Sequence, residues 1–350
     1  MARILFALPR FHTNLWFAVR AMLAAGHELQ ILANGSGSGE DHSLLTPRVM
    51  GRHPAQSDVD AAVDAFQPDL VVVRNAWALS RRAARAARTR NIPALLYNLL
   101  PMNAPTSILR RAELAWKGLP RQRITPVPGL PGASGRSDPF GHYLPWPVAA
   151  LPTPAPLAKP GPGAKLHIVC IGKLGLPRKN QPELIDAMEA AGLDAHYHVT
   201  LVGSPAKSDD PKQAEHAARI EALSKHDWIT LRSGITFADM ANVYASADVC
   251  VLPSFAEPLG VSPVEAMAYG AIPVISSDSG SAGYLRQGEN GFIIDMHQPK
   301  TVADALRRIA EAPALRQSLS AAARHKTQTD LSESRFLERL DTILAAHIRR

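Results

Sequence analysis

Short runs of apolar residues alternate with amphipathic stretches along most of the chain. Residues 3–8 (RILFAL), 27–33, 69–73 (DLVVV) and 93–97 (PALLY) read as strands, and 13–25, 58–66 and 76–90 as the helices between them. A second series begins at Leu166. It predicts strands at 166–171 (LHIVCI), 198–202, 228–231, 248–252 (DVCVL), 272–275 and 292–294, with helices near 181–191, 211–225, 238–245, 263–269 and 300–311. Strands that are apolar throughout are buried on both faces, and strands that alternate with helices form parallel sheets covered on both sides. In 331–348, Phe336, Leu337, Leu340, Ile343 and Leu344 recur at helical spacing. The fold class is therefore α/β, two doubly wound domains in tandem.

Proline marks the boundary. Residues 120–163 hold 12 of the chain's 29 prolines, and proline resists both helix interiors and central strands. Loops and an interdomain linker are expected there. The domains read as 1–150, a Pro-rich linker at 151–164, a second domain at 165–328, and a C-terminal helix within 329–350 that packs back on the first domain.

Composition is that of an ordinary globular protein, 46% hydrophobic and 20% charged. No apolar run approaches the ~18 residues that span a bilayer. The apolar start, Ile4 to Leu8, is broken too soon by Pro9 and Arg10 for a signal peptide, so a cytoplasmic location is expected. Cys170 and Cys250 sit in apolar strands, which excludes a disulfide framework or a zinc site. Charge is uneven: residues 1–150 contain 17 Arg and Lys against 9 Asp and Glu, whereas the rest is nearly balanced. That basic half is either a solvated face or a surface that attracts phosphates. Aromatics are not interleaved with the cations, so a nucleic-acid partner is not expected. Around 106–123, Arg110, Arg111, Lys117, Arg121 and Arg123 accompany Ile108, Leu109, Leu114, Trp116 and Leu119. This reads either as a packed helix with Trp116 in the core or as a helix lying on an anionic membrane.

In doubly wound sheets ligands bind beyond the carboxyl ends of the strands. After strand 248–252 the chain reads Ala256-Glu257-Pro258-Leu259-Gly260-Val261-Ser262-Pro263-Val264-Glu265-Ala266-Met267-Ala268-Tyr269-Gly270. Gly260 lets backbone approach a ligand. Ser262, Pro263 and Glu265 also suit a helix start, with Ser as N-cap and Glu completing a capping box. Glu257 has no such structural explanation.

The spacing of Glu257 and Glu265 resembles the E-x(7)-E signature of retaining GT-B glycosyltransferases of family 4. Gly172-Lys173-Leu174-Gly175-Leu176-Pro177-Arg178-Lys179 resembles that family's G-R-x(5)-K segment, with Lys173 where Arg is common. The resemblance implies a GT-B fold whose two Rossmann-like domains face across a cleft. It implies that Lys173 and Lys179 face the leaving diphosphate and that Glu257 contacts the transferred sugar. Glu265 would hold the ribose, while the backbone of Leu259, Gly260, Val261 and Ser262 binds the diphosphate. Gly172 belongs to the same donor site, and Gly234 and Ile235 resemble the segment that binds the nucleobase. Thr236 and Asp239 read as helix caps. The match is dense over about 165–300, and the N-terminal half matches only in topology. The glycine pair after the first strand is Pro9-Arg10-Phe11-His12-Thr13-Asn14 here, and Asn98 stands where a histidine is common, so His12, Asn14 and Asn98 are the acceptor-side candidates. The pattern G-G-x-x-E becomes Gly280-Ser281-Ala282-Gly283-Tyr284, without the acid.

The activity so implied is retaining transfer of a sugar from a UDP- or GDP-linked donor, with no cofactor and no metal. The acceptor would be lipid-linked or phosphorylated, with the enzyme peripheral on the inner face of a membrane. A GT-B epimerase or hydrolase and a non-catalytic nucleotide-sugar-binding protein are the rivals.

Overall fold

A computed structural model describes every residue except 38, 75–76, 132–136, 154–163, 205–209 and 349–350. The chain forms two compact units, Met1–Pro147 with Leu331–Arg350, and Val148–Asp330. The expected linker at 151–164 falls mostly outside the described residues. Leu151 belongs to the second unit, where its backbone N–H donates to the Tyr269 hydroxyl at 2.8 Å.

The first unit runs β1 (Arg3–Leu8), α1 (Trp16–Ala24), β2 (Glu28–Ala33), β3 (Arg48–Val49), α2 (Gln56–Phe66), β4 (Leu70–Arg74), α3 (Ala78–Thr89), β5 (Ala94–Tyr97), α4 (Ile108–Trp116), β6 (Arg123–Thr125) and β7 (Gly141–Tyr143). Its sheet has the order β3-β2-β1-β4-β5-β6-β7, parallel at every pairing among the described residues.

The second unit runs β8 (Leu166–Ile171), α5 (Gln181–Ala190), β9 (Tyr197–Val202), α6 (Pro211–Leu223), β10 (Ile229–Arg232), α7 (Phe237–Ser246), β11 (Val249–Leu252), α8 (Ser262–Ala268), β12 (Ile272–Ser276), β13 (Phe292–Ile294), α9 (Pro299–Glu311) and α10 (Pro313–Gln328). Its parallel sheet has the order β10-β9-β8-β11-β12-β13. The core lies on both faces of the sheet: Ile168, Leu201 and Val251 point to one cluster, and Val169, Val202 and Cys250 to the other. The final helix, α11 (Glu333–His347), belongs to the first unit. There Arg20 binds Glu333 at 2.7 Å and Phe336 meets the Trp146 ring.

Three elements correct the sequence reading. β6 and β7 lie within the Pro-rich region assigned to loops. Each has three residues, and Pro126 and Pro128 fall just past β6, so the sheet is extended without a proline inside a ladder. α10 went unseen because it buries only Leu319, Ala323 and Thr327, one residue per turn and one of them polar.

The basic stretch at 106–123 is corrected as well. The helix is confined to Ile108–Trp116, capped by Ser107, which accepts from the Arg110 N–H. Leu114 is buried, whereas Ile108, Leu109 and Trp116 are 75%, 83% and 85% exposed. Trp116 is therefore not a core residue. Arg123 is not a surface cation either: it is buried, and its Nε donates to Asp138 at 2.8 Å. Its other nitrogens donate to the carbonyls of Leu100 and Pro101 and to Asn98 Oδ1, so one guanidinium shapes the loop after β5.

Burial alone would raise the Asp138 pKa. Arg123, the Phe140 N–H and Thr106 outweigh it and hold the value at about 2. A carboxyl depressed in the folded state stabilises the fold above the unfolded value near 3.8, and loses that effect as pH falls toward 2. Breaking a buried pair by removing one partner costs about 3–5 kcal/mol. Urea titration of Arg123→Met at pH 7 is expected to show a loss of this size. Wild-type stability should decline between about pH 4 and 2, and a variant within 1 kcal/mol of wild type would contradict the assignment.

Candidate active site

Strand order in the second unit reverses at β8 and β11, which pair in register from Val249↔Ile168 to Val251↔Cys170. The loops leaving these strands therefore emerge side by side, at the position where open α/β sheets bind ligands. The first loop starts at Gly172. A Cβ on Gly203 would lie 1.7 Å from the Gly172 carbonyl oxygen, so only glycine lets the exits of β9 and β8 pass. A Cβ on Gly172 itself would press on the Lys179 stem at 3.1 Å. The loop closes in a 3₁₀ turn at Pro177–Lys179, and Asn180 follows in the left-handed conformation, φ 58°.

The second loop is tied to the first by the Phe255 N–H, which donates to the Arg178 carbonyl at 2.8 Å. Ala256 has φ 45°, a conformation costing a residue with a Cβ about 1–3 kcal/mol. The strained turn presents Glu257, whose backbone is held on both sides: its N–H donates to Asp278 and its carbonyl accepts from Gly280. Gly260 has φ 74°, and a Cβ there would collide with Leu252 at 2.3 Å and crowd Glu257 Cγ at 3.0 Å.

Glu257 Oε2 accepts from Lys179 Nζ at 2.5 Å and from Arg178 Nη1 at 2.8 Å. Burial works to raise its pKa. The bond and charge of Lys179, then those of Arg178, overcome this and hold the carboxyl below its ordinary value. Glu265 behaves oppositely. It accepts from the Tyr244 hydroxyl at 2.5 Å, but burial dominates and raises its pKa, and the Tyr244 hydroxyl is raised as well.

The expected capping box at Ser262 does not form. Val261 already has helical backbone angles, φ −78° and ψ −23°, and is itself the N-cap, leaving Ser262 inside the first turn. An N-cap side chain needs an extended backbone to reach the free N–H groups, so Ser262 makes no cap bond and Glu265 turns to Tyr244. Thr236 and Asp239 do form the expected cap of α7, the Thr236 hydroxyl accepting from the Asp239 N–H at 3.2 Å.

The structure thus joins Gly172, Lys179, Glu257 and Gly260 in one place, with Leu259 buried and Val261 and Ser262 half-buried beside them. Lys173 is exposed at the exit of β8, and the cations on Glu257 are Lys179 and Arg178. Gly234, at φ 72° in open space, and half-buried Ile235 form the turn between β10 and α7. His12 and Asn14 follow β1 in the first unit and Asn98 follows β5. His12 is exposed, and Asn98 Oδ1 accepts from Arg123 and the Leu100 N–H. Sequence reading missed Arg178 and Tyr244. Arg178 was visible only as the neighbour of Lys179. Tyr244 carried no local signal, because it meets Glu265 only once α7 and α8 pack on the same face. Among the described residues no group of three or more His, Cys, Asp or Glu could hold a metal ion.

Residues 159–326, which include both lysines and both glutamates, match the family model described as glycosyl transferases group 1. The D-inositol 3-phosphate glycosyltransferase of Streptomyces griseus is 27% identical over 266 residues, 75% of this chain and 48% of its own length. That of Arthrobacter sp. is 29% identical over 170 residues, 46% of this chain and 38% of its own. The chain therefore matches less than half the length of these relatives. Among solved structures, sucrose-phosphate synthase from Thermosynechococcus elongatus aligns with TM-score 0.71 at 18% identity, over 99% of each chain. Anabaena HepE in complex with UDP and glucose aligns with TM-score 0.74 at 17% identity, over 99% of this chain and 100% of its own. These likenesses establish the fold, two Rossmann-like α/β domains of the GT-B type.

A folded-state pKa raised above the unfolded one means the group favours the fold fully only below its unfolded value, near 4.5 for Glu265. That contribution is lost as pH rises through the higher folded value, so Glu265 stabilises the fold less at neutral pH than below its unfolded value. Glu265→Gln keeps an oxygen for Tyr244 and is expected to melt higher than wild type at pH 7, with the gap closing by pH 3.5. A gap of the same size at both values would contradict a raised Glu265.

Proposed function

We propose that the chain is a retaining glycosyltransferase that moves a sugar from a nucleotide-linked donor to an acceptor hydroxyl without a metal ion. The observation that carries this reading is the Lys179–Glu257 contact at the strand switch, with Glu265 eight residues further on. In the reaction the bond between the anomeric carbon and the phosphate oxygen breaks, and the nucleoside diphosphate leaves with the electron pair. The acceptor oxygen bonds to the same face of that carbon, and the leaving phosphate oxygen takes the acceptor's proton. No separate base is then needed. Lys179 meets the developing phosphate charge, and a preorganised donor of this kind contributes about 3–4 kcal/mol. Glu257 would hold sugar hydroxyls and steady the positive charge at the anomeric carbon. Glu265, with Oε2 taken by Tyr244, offers its other oxygen to the ribose. The backbone of 259–262 would take the diphosphate and that of Gly234 and Ile235 the base.

Glu257→Gln and Lys179→Ala are each expected to lower kcat by about a hundredfold or more, with unchanged circular dichroism. Glu265→Ala should act chiefly on donor KM. The assay is nucleoside diphosphate release from UDP- and GDP-sugars, run in EDTA, with NMR of the product anomer. Near-normal turnover of either kcat variant, loss of activity in EDTA restored by Mg²⁺, or an inverted product would count against this reading.

On the acceptor side, α4 supports docking on an anionic membrane that carries a lipid-linked acceptor. Ile108, Leu109 and Trp116 stand out from it, with Arg110, Arg111, Lys117 and Arg121 nearby. A basic helix with an exposed apolar face lies in the headgroup region, and each cation near an anionic surface adds about 1 kcal/mol, weakened by salt. Vesicle co-sedimentation is expected to show binding to anionic but not neutral vesicles, lost in Leu109→Ser/Trp116→Ser and weakened by high salt. Absence of binding at low salt would favour a soluble phosphorylated acceptor. The relatives' name, which specifies an inositol phosphate, points to that alternative.

A further inference from the structure

Helix α11 comes from the far end of the chain and covers one face of the first unit's sheet, where Phe336, Leu340 and Ile343 line the same apolar space as Phe6, Val72 and Trp146. Its beginning is fastened by the Arg20–Glu333 ion pair at 2.7 Å and by Phe336 against the Trp146 ring. Its end is fastened differently. His347, the last helical residue, faces His142 on β7, the strand at the end of the sheet and 205 residues earlier in the chain. The two Nε2 atoms are 2.9 Å apart, the rings stand at 84°, and both residues are half-buried. Such a contact exists only while one ring keeps its lone pair: the donor carries its hydrogen on Nε2, and the acceptor is the Nδ1–H tautomer. One added proton still leaves a donor and an acceptor. A second sets N–H against N–H and two positive charges at contact distance. We propose that His142 and His347 form an acid-released latch, which holds the last turn of α11 on β7 at neutral pH and frees it once both rings are protonated.

The groups around the pair offer it no counter-ion. On β6, Ile124 stands opposite His142, and its neighbour Arg123 is bonded to Asp138. Beside His142, the Tyr143 ring is covered by Arg339 of α11 itself, a further positive charge. The cavity of about 730 Å³ next to His347 is lined by Asp69 and Arg88, and Asp69 accepts from the Arg3 N–H at 2.7 Å. Burial lowers both pKa values, the charge of His347 lowers that of His142 further, and no carboxylate raises either. The helix C-terminus favours a charged His347, yet the net shift is downward. A histidine whose folded pKa is depressed contributes stability fully above its unfolded value of 6.5 and loses it as pH falls through the folded value. The latch is therefore closed at neutral pH and opens on the acid side of 6.5. His27 is another titratable ring that faces α11. It is buried, its Nδ1 accepts from the Ala2 N–H at 3.2 Å, and burial and the N-terminal amine lower its pKa against a partial rise from Asp341.

The test is amide hydrogen exchange of the full chain at about pH 7.5 and about pH 5, corrected for the intrinsic effect of pH, on wild type, His142→Gln, His142→Lys and His27→Gln. In wild type, residues 344–348 are expected to lose protection about three- to tenfold at the lower pH, the range for one lost hydrogen bond, while 333–340 stay protected. His142→Gln keeps a polar side chain of similar reach that does not titrate, and should protect the last turn equally at both values. His142→Lys carries a permanent charge and should show the loosened turn already at the higher pH. Should the lysine variant loosen the whole helix, the glutamine variant decides alone. His27→Gln should behave as wild type. Ring NMR should show the pair titrating in two steps, the lower of them below 6.5. Acid loosening that persists in His142→Gln, a tight last turn in His142→Lys at the higher pH, wild-type loosening spread evenly over α11, or loss of the effect in His27→Gln would each overturn the proposal.

Discussion

The site depends on the parallel pairing of β8 with β11, strands about 80 residues apart in sequence. Parallel strands joined by crossovers leave the sheet at the same edge, and where the order reverses their exit loops diverge to opposite faces and open a crevice. That geometry brings Lys179, from the loop after β8, within bonding distance of Glu257, from the loop after β11. Gly203 and Gly260 keep the arrangement possible, since at either position a methyl group would occupy space already held by the Gly172 carbonyl or by Leu252.

The two glutamates of the site are set apart by their surroundings, although both are acids partly removed from water. Glu257 faces two cations, which keep it ionised. Glu265 accepts from a single tyrosine hydroxyl, and burial outweighs that bond and favours its protonated form. Environments that push like groups in opposite directions suit different tasks, a charged carboxylate near a reacting centre and a hydrogen-bonding one that holds a neutral ligand. The left-handed Ala256 and the orphaned hydroxyls of Ser254, Ser279 and Ser281 lie on the loops around Glu257, so strain and unsatisfied polarity concentrate there.

In the first unit the comparable organiser is Arg123. Its guanidinium binds Asp138 and the backbone of the loop after β5, so the expected acceptor-side Asn98 serves as one of its acceptors. A charge placed by sequence on a basic surface thus becomes an internal tie. On α4 the cations are engaged, Arg110 with Glu113 and Arg111 over the Phe140 ring, whereas Ile108, Leu109 and Trp116 stay exposed.

Sequence by itself determined the alternation of elements and their class. Strands 3–8, 166–171 and 292–294 were legible to the residue, because an apolar run bounded by polar turns has one way to be buried. Resemblance to a family pattern, rather than periodicity, singled out Glu257, Glu265 and Lys179. Short edge strands such as β6 and β7, and a sparsely buried helix such as α10, left too weak a pattern. Tertiary structure alone decided what each charge touches. Whether Lys173 or Arg178 meets Glu257, whether Arg123 is surface or core, and whether Glu265 caps a helix or binds Tyr244 depend on contacts between segments far apart in the chain. Side-chain charge and periodicity are local properties, whereas burial and partner choice arise only when distant strands pair and bring their loops together.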